Sequence, residues 1–409
     1  MLPVSAHPAT AARATPIAAQ AARLDQVDAL RGFALLGILA VNIWSFADPY
    51  YASSSSNPHY ASELDYLIRW LVSVLFEAKF YLLFSFLFGY SFTLQLASAE
   101  RSGQPFVPRM LRRQLALLAI GLVHGALLFY GEILSLYALL GLVLLMLRGL
   151  SARWAASLAL LLIISTALLM LWFGAALLDA GVYSGGPDGE ALLKDMALAG
   201  SALDTLVYNA SHLLDTVSAL WLLQGPSTLG MFLLGYVAGR RRLLVAPYRF
   251  APRLPRLLAI TLPLGLGGAL LYGYWAAYAP GGGLEVIGYG ISQLTAPLLS
   301  VSYALLLLKA FDTPLGQRLC QRLAPLGRMS LSNYLLQSLL LSLLFTGYGL
   351  GLVNQLSPLW IPFLVIALYL LQMQLSARWL RTHQYGPCEW LLRAVTLGAW
   401  PNWRKRPEV

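Results

Sequence analysis

The sequence predicts an all-α protein, a polytopic transmembrane helical bundle of about ten spans with both termini in the cytoplasm. Of its 409 residues, 58% are hydrophobic and only 11% are charged, whereas a soluble domain carries about 25% charged residues. Apolar runs of about 20 residues recur along the chain, and a helix of that length crosses the hydrocarbon core of a bilayer. Basic residues lie in short clusters between these runs, a pattern typical of membrane topology.

The apolar runs predict spans at residues 28–46, 63–98, 114–130, 133–147, 155–178, 213–238, 257–278, 286–308, 330–347 and 359–380. The second run is too long for one span at about 1.5 Å per residue, and Glu77-Ala78-Lys79 interrupts it. It is either one long helix that leaves the bilayer or a surface helix followed by a span at 79–98. The third and fourth spans form a tight hairpin around Gly131-Glu132, and a kink is expected in the sixth at Gly225-Pro226.

Basic residues predict the orientation. Of the 28 lysines and arginines, all except Arg69, Lys79 and Lys194 fall at the ends of the chain or in every second loop between the predicted spans. The positive-inside rule assigns these loops and ends to the cytoplasm. An even number of spans and two cytoplasmic termini follow. Five regions are predicted: a disordered tail at 1–24, a six-span region at 25–239, a basic linker at 240–256, a four-span region at 257–400 and a basic tail at 401–409.

Composition also argues against several other classes of protein. The net charge of +10 reflects topology rather than nucleic-acid binding, because the basic residues are spread over the loops. Cys320 and Cys388 form neither a metal signature nor an expected disulfide. We therefore predict no metal and no permanently bound cofactor, and the lipid bilayer as the main partner. Small residues on the helix faces are compatible with a homodimer.

The first span carries three polar residues of interest. Asp28 and Arg31 stand one helical turn apart at its entry, and Asn42 lies in its far half. Charges inside an apolar span are costly and often functional. A structural alternative is that Arg31 extends to the headgroups while Asp28 caps the N-terminus of the helix.

His124 and Glu132 are the candidates in the hairpin. His124 lies in the middle of the third span, where a neutral imidazole could act as a general base. Glu132 is eight residues further on, roughly on the same helix face but about 12 Å along the axis. The structural alternatives are a hydrogen bond from His124 to a neighbouring helix and a solvated cap formed by Glu132.

Further candidates lie in two other places. Glu77 and Lys79 sit at the break in the second run, where they could pair with Asp28 or Arg31 or form part of a substrate site. Arg328, Asn333 and Gln337 lie around the start of the ninth span. Asn333 and Gln337 share a helix face, and such amides are most often hydrogen bonded between helices.

Five segments of the chain resemble a known family. They are VDALRGFALLGILAVNIWSF, FYLLFSFLFGYSFTLQLASAERSG, LVHGALLFYGEILSLYALLG, GRMSLSNYLLQSLLLSLLFTGYGLGL and GPCEWLLRAVTLG. These segments are similar to the YeiB-like bacterial inner-membrane proteins, whose C-terminal half is a domain of unknown function. The resemblance covers residues from about 25 to 400 and implies a ten-span helical protein of the bacterial inner membrane.

The YeiB-like proteins are in turn distantly similar to a superfamily of membrane-bound acyltransferases. Those enzymes carry a basic residue, ten residues and then a catalytic histidine in the first span; here Arg31 is followed by Asn42 at that position. Because an amide is no general base at neutral pH, His124 would have to take that role. Glu132 stands where the hairpin of the family usually has aspartate.

Three functions follow from these observations. In the first, the protein is a membrane-bound acyltransferase that uses acyl-CoA as a co-substrate. Its candidate catalytic residues are His124, Glu132 and Asn42, and its candidate donor-binding residues are Asp28, Arg31, Glu77, Lys79, Arg328, Asn333 and Gln337. In the second, buried ionisable residues form the path of a proton-coupled transporter of a small solute. In the third, the protein is a non-catalytic lipid-binding module.

Overall fold

A computed structural model describes residues 16–51, 53, 57–60, 62–184, 189–245 and 251–405. The described chain is all-α except for one isolated bridge between His383 and Arg404. Its helices are α1 (Pro16–Asn42), α2 (Trp44–Ala47), α3 (Glu63–Leu75), α4 (Lys79–Arg101), α5 (Phe106–Leu127), α6 (Leu134–Leu147), α7 (Ala152–Asp179), α8 (Gly189–Ala199), α9 (Ala202–Leu223), α10 (Gly225–Arg240), α11 (Leu254–Tyr278), α12 (Gly283–Ala310), α13 (Pro314–Arg328), α14 (Ser330–Phe345), α15 (Ile361–Thr382) and α16 (Pro387–Leu397).

The predicted membrane bundle is confirmed. Among the described residues, seven helical segments are long and apolar enough to cross a membrane, and α9 with α10 makes an eighth if that pair, bent by 59°, is one span. The fourth and ninth predicted spans correspond to α6 and α14, which have only 14 and 16 residues. At 1.5 Å per residue, α6 is about 21 Å long, shorter than a hydrocarbon core of about 30 Å.

Three of the predicted regions either differ from the structure or lie partly outside the described residues. α1 begins at Pro16, inside the predicted disordered tail, and residues 1–15 lie outside the described residues. Parts of the predicted linker (246–250) and of the basic tail (406–409) lie outside them as well. Because α1 starts twelve residues before Asp28, that carboxylate lies within the helix, and the expectation that it caps the N-terminus is wrong.

The second predicted run is two helices rather than one. α3 ends at Leu75 and α4 begins at Lys79. Between them Ala78 has a φ of +66°, and the N–H of Lys79 donates to the carbonyl of Glu77 at 2.9 Å. This three-residue γ-turn is rare and strained for a residue with a side chain. It turns the chain so that the side chains of Glu77 and Lys79 have different hydrogen-bond partners, Tyr51 and the carbonyl of Ser73.

The helix α1 packs closely against α13. A Cβ added to Gly327 would lie 1.7 Å from the carbonyl oxygen of Asp28, and one added to Gly32 would lie 2.5 Å from that of Leu323. Only glycine lets the two backbones approach this closely. The contact fixes Arg31 of α1 and Arg328 of α13 at the same end of the bundle.

Candidate functional site

A cavity of about 370 Å³ opens between α1, α4, α5, α6, α13, α14 and α16. We call it the arginine cavity, because five arginines line it: Arg31, Arg109, Arg113, Arg328 and Arg393. Glu389 is the one carboxylate among its lining residues. The cavity therefore has a strongly positive wall, which favours an anionic ligand.

The deep end of the arginine cavity is apolar and aromatic. On α1 the lining runs from Arg31 to Ile38, and on α4 it runs from Gln95 to Phe84. At 1.5 Å per residue these distances are about 10 Å and 16 Å along the helices. The other deep residues are Leu117, Ile133, Leu134, Tyr137 and Tyr334. A ligand with a charged head and a less polar arm would match this gradient.

Most of these arginines form no direct ion pair among the described residues, although Arg328 is attracted by Asp25 and Asp28, and Arg113 by Glu389. Arg31 is the exception, since it pairs with Asp28 and donates to Ser91 Oγ at 2.5 Å. Arg109, Arg113 and Arg328 form no hydrogen bond or ion pair with any described residue. The guanidinium of Arg393 lies over the ring of Tyr385, 5.1 Å from its centroid. Several guanidinium groups are therefore available to bind phosphate or carboxylate groups.

Glu389 is occupied at the N-terminus of α14. Its carboxylate accepts hydrogen bonds from the backbone N–H groups of Leu331 (2.7 Å) and Ser332 (3.0 Å) and from Ser332 Oγ (2.5 Å). Burial raises the pKa of Glu389, while the bonds from Ser332 oppose that shift. Glu389 thus joins α16, which forms one wall of the cavity, to α14.

His124 lies behind the deep end of the arginine cavity. Its side chain is 3% exposed, and neither ring nitrogen has a hydrogen-bond partner within the described part of the chain. The expected hydrogen bond to a neighbouring helix is therefore not formed. The imidazole instead packs against Tyr334, with 5.2 Å between the ring centroids, and Tyr334 lines the cavity.

Glu132 caps α6 from a fully buried position. Its carboxylate accepts from the backbone N–H groups of Leu134 (2.5 Å) and Ser135 (2.9 Å) and from Ser135 Oγ. The sequence alternative of a cap is thus correct, but Glu132 is 0% exposed rather than solvated. These bonds hold the start of α6, which brings Ile133 and Leu134 to the cavity.

Asn42 does not reach the arginine cavity. It is the last residue of α1, about 16 Å along the helix from Arg31, and it is not among the lining residues. Its side chain forms no hydrogen bond with the described residues. The structure thus brings Arg31 and Arg328 to one cavity, places His124 behind its deep end and leaves Asn42 apart.

Asn333 and Gln337 connect helices. Asn333 Nδ2 donates to Ser376 Oγ at 2.9 Å, and Gln337 Nε2 donates to Gln372 Oε1 at 3.0 Å. Gln372 Nε2 donates in turn to the carbonyl of Asn333 at 2.9 Å. The structure therefore places both amides in the contact between α14 and α15 and not in the cavity wall.

A second, smaller cavity of about 110 Å³ lies at the opposite end of α4. We call it the acidic cavity, since its lining includes Asp48, Asp65, Glu77 and Glu285, with Arg69 as the one basic residue. Arg69 pairs with Asp48 at 2.5 Å and lies over the rings of Trp44 and Tyr51 at 5.1 and 5.0 Å.

The suggested pairing of Glu77 or Lys79 with Asp28 or Arg31 is wrong. Glu77 Oε1 accepts from the hydroxyl of Tyr51 at 2.8 Å, in the acidic cavity. Lys79 is 0% exposed, and its Nζ donates to the carbonyl of Ser73 at 2.7 Å. About 24 Å of α4 separates Lys79 from Gln95 at the arginine cavity, so direct contact between the two groups is impossible.

Comparison with known proteins identifies the family. The DUF418 family, described as a protein of unknown function, matches residues 238–399. "Uncharacterized protein YxaH" of Bacillus subtilis (strain 168) is 33% identical to this chain, and the match covers 95% of this chain and 97% of that protein. The chain belongs to the DUF418 family.

Other DUF418 relatives agree with this assignment. "Uncharacterized protein YeiB" of Escherichia coli (strain K12) is 30% identical to this chain, and the match covers 91% of this chain and 96% of that protein. An "Uncharacterized 39.9 kDa protein in amylase 3'region" of Bacillus acidopullulyticus is 30% identical to this chain, and the match covers 91% of this chain and 94% of that protein. The resemblance to YeiB-like proteins is thereby confirmed. No solved structure matches the chain.

The sequence did not single out several residues of this DUF418 cavity. In the sequence, Arg109 and Arg113 belong to a basic loop that indicates only topology, although their spacing of four residues places them on one helix face. Tyr334 lies between Asn333 and Gln337 in the chain, but it lines the cavity, whereas the two amides contact α15. No signal in the sequence identified Glu389.

Proposed function

We propose that this DUF418 protein is an acyltransferase of the bacterial inner membrane that takes its acyl group from cytoplasmic acyl-CoA. The observation that carries the proposal is the arginine cavity, with unpaired guanidinium groups at its mouth and a largely apolar interior. Arginine binds phosphate oxygens in a planar, bidentate geometry. The phosphates of CoA would lie at the mouth, and the pantetheine arm would extend toward Tyr334.

The reaction would take place at the deep end. His124 would accept the proton from a hydroxyl or amine of the acceptor, whose oxygen or nitrogen forms a bond to the acyl carbon. The carbon–sulfur bond would break, and the leaving thiolate would take the proton from the imidazolium. The acceptor would enter beside the ring of Tyr334, which packs against His124 and lines the cavity.

The remaining candidate residues have supporting roles in this proposal. Asp28 holds Arg31 at the mouth, and Arg328 contributes a further charge. Glu132 fixes the start of α6. Asn42, Asn333 and Gln337 lie outside the cavity wall, so they would act through helix packing rather than by contact with the donor. Glu77 and Lys79 lie too far away for donor binding.

The first test is ligand-induced thermal stabilisation of the purified protein. CoA, acetyl-CoA and longer acyl-CoAs would be compared for the wild type, Arg113→Ala and the control Arg318→Ala, which removes an exposed arginine of α13 outside the cavity. A ligand at about 100 times its Kd stabilises by about 2.7 kcal/mol. We expect the shift to disappear in Arg113→Ala at the same ligand concentration and to remain in the control.

The second test is transfer itself. Membranes would be incubated with acyl-labelled acyl-CoA, and label in lipid, glycan and small-molecule fractions would be compared between wild type and His124→Ala. Loss of transfer with retained CoA binding is the expected result. Binding without any transfer in the wild type would favour the lipid-binding module, and no binding of any CoA species would remove the acyltransferase proposal.

The acidic cavity favours transport of a small solute as a second candidate function. Buried carboxylates at one end, arginines at the other and the broken pair α9–α10 are features of transport pathways. Counterflow in proteoliposomes would test this candidate with a panel of anionic and cationic metabolites. Uptake of a chemically unchanged solute would support transport, and its absence over the whole panel would weaken it.

A further inference from the structure

Two tyrosines line the deep end of the arginine cavity, and their hydroxyl groups are in different situations. The hydroxyl of Tyr137 donates to the carbonyl of Tyr81 at 2.9 Å and lies 2.6 Å from Ser85 Oγ. The hydroxyl of Tyr334 is buried; its oxygen lies against the backbone N–H of Ile133, and its own hydrogen has no acceptor among the described residues. Tyr334 is therefore the tyrosine at this end that retains a free donor.

The side chain next to Tyr334 also has polar atoms without hydrogen-bond partners among the described residues. Both ring nitrogens of His124 also lack partners in the described chain, and this ring packs on Tyr334. The hydroxyl oxygen of Tyr334 lies beside the backbone N–H of Ile133, at the start of α6. The unused hydroxyl hydrogen of Tyr334 and the two unpartnered nitrogens of His124 therefore belong to two buried rings that pack against each other at the cavity. Buried polar groups are nearly always satisfied, so this concentration points to a bound group that satisfies them.

The chemistry of these atoms indicates what that group is. A phenol hydroxyl is a hydrogen-bond donor, and a neutral imidazole offers one acceptor and one donor. A carbonyl oxygen would satisfy Tyr334, and a hydroxyl or amine beside it would satisfy the acceptor nitrogen of His124. A thioester and its attacking nucleophile provide this pair of groups.

We propose that Tyr334 is a catalytic residue whose hydroxyl donates a hydrogen bond to the carbonyl oxygen of the bound acyl group. This inference rests on the proposed acyltransferase function. As the acceptor atom bonds to the carbonyl carbon, negative charge develops on the carbonyl oxygen, and a fixed donor stabilises it. Tyr334 keeps its proton throughout. The proton of the acceptor passes to His124 and then to the departing CoA thiolate.

The experiment uses a ketone analogue of acetyl-CoA, in which a methylene group separates the sulfur from a ¹³C-labelled carbonyl. Its carbonyl stretch is read by infrared difference spectroscopy in the full-length wild type, Tyr334→Phe and the control Tyr303→Phe, whose tyrosine lies outside the cavity lining and donates to the carbonyl of Leu75. A hydrogen bond lowers the stretching frequency. We expect a lowered frequency and the same Kd in wild type and Tyr303→Phe, and a higher frequency with up to about tenfold weaker binding in Tyr334→Phe.

A further variant avoids a loss of packing at position 334. Replacement of Tyr334 by 3,5-difluorotyrosine keeps the ring and makes the hydroxyl a stronger donor, so the frequency should fall below that of the wild type. Equal frequencies in wild type and both position-334 variants would overturn the role of Tyr334 while leaving the donor site intact. If the analogue does not bind to the wild type, the proposed function fails and this inference fails with it.

Discussion

At the scale of single residues, the carboxylate of Glu389 links stability to pH. Burial raises its pKa above the ordinary value, so the folded protein holds this proton more tightly than the unfolded chain does. The resulting stability is fully present below the unfolded pKa, about 4.3, and is lost as the pH rises through the folded pKa.

Glu389→Gln should therefore gain stability relative to the wild type as the pH increases from about 4. The amide oxygen can still accept the N–H groups of Leu331 and Ser332, so the connection between α14 and α16 is kept. The measurement is the difference in Tm between variant and wild type at several pH values. A difference that becomes less favourable to the variant with increasing pH would contradict the role assigned to Glu389.

Glu132 is expected to act mainly through its cap. Glu132→Ala leaves the buried N–H groups of Leu134 and Ser135 without their acceptor, which costs about 1–3 kcal/mol. Glu132→Gln keeps an acceptor oxygen and should cost less. Unfolding in detergent would be measured for both variants and for Glu100→Ala, a control at the exposed end of α4. Equal stability of the alanine variant and the wild type would show that the cap is unimportant.

At the scale of helices, the contact between α1 and α13 should be the most sensitive to added volume. Gly327→Ala places a methyl group against the backbone of α1, and we expect a loss of about 1–3 kcal/mol. Acyl-CoA affinity should fall as well, because Arg31 and Arg328 move apart. Gly267→Ala in α11, where nothing lies within 4 Å, is the matched control and should be neutral or slightly stabilising.

The helices were more predictable than the cavity. Hydropathy locates spans because each depends on its own residues, and all ten predicted runs contain helix. The paired amides of Asn333 and Gln337 followed from local spacing. The limits of α6 and α14 followed as well, since residues 133–147 and 330–347 were predicted and the helices run over Leu134–Leu147 and Ser330–Phe345.

The arginine cavity could not be derived in the same way. Arg113 and Arg328 are more than two hundred residues apart in the chain, and each looks like an ordinary topology signal. Whether such a residue faces lipid headgroups or a cavity depends on how α5 and α13 pack against other helices. Tyr334 shows the same limit, because its unsatisfied hydroxyl exists only once its neighbours are in place.

At the scale of the whole molecule, the distribution of basic residues predicts that both termini are cytoplasmic. A C-terminal green fluorescent protein fusion should fluoresce, and a C-terminal alkaline phosphatase fusion should be inactive in a bacterial host. Fusions after residue 184, between α7 and α8, should give the opposite pattern. Phosphatase activity at the C-terminus would reverse the orientation and place the arginine cavity on the outer side.

The positions of the arginines also lead to an expectation about membrane voltage. A charge that crosses the whole membrane exchanges about 2.3 kcal/mol with a potential of 100 mV. In the acyltransferase proposal the phosphates of the donor stay at the cavity mouth, near the interface, and only a neutral acyl group moves inward. Turnover should then be nearly independent of an imposed potential, whereas export of the whole anion past the acidic cavity would generate a current.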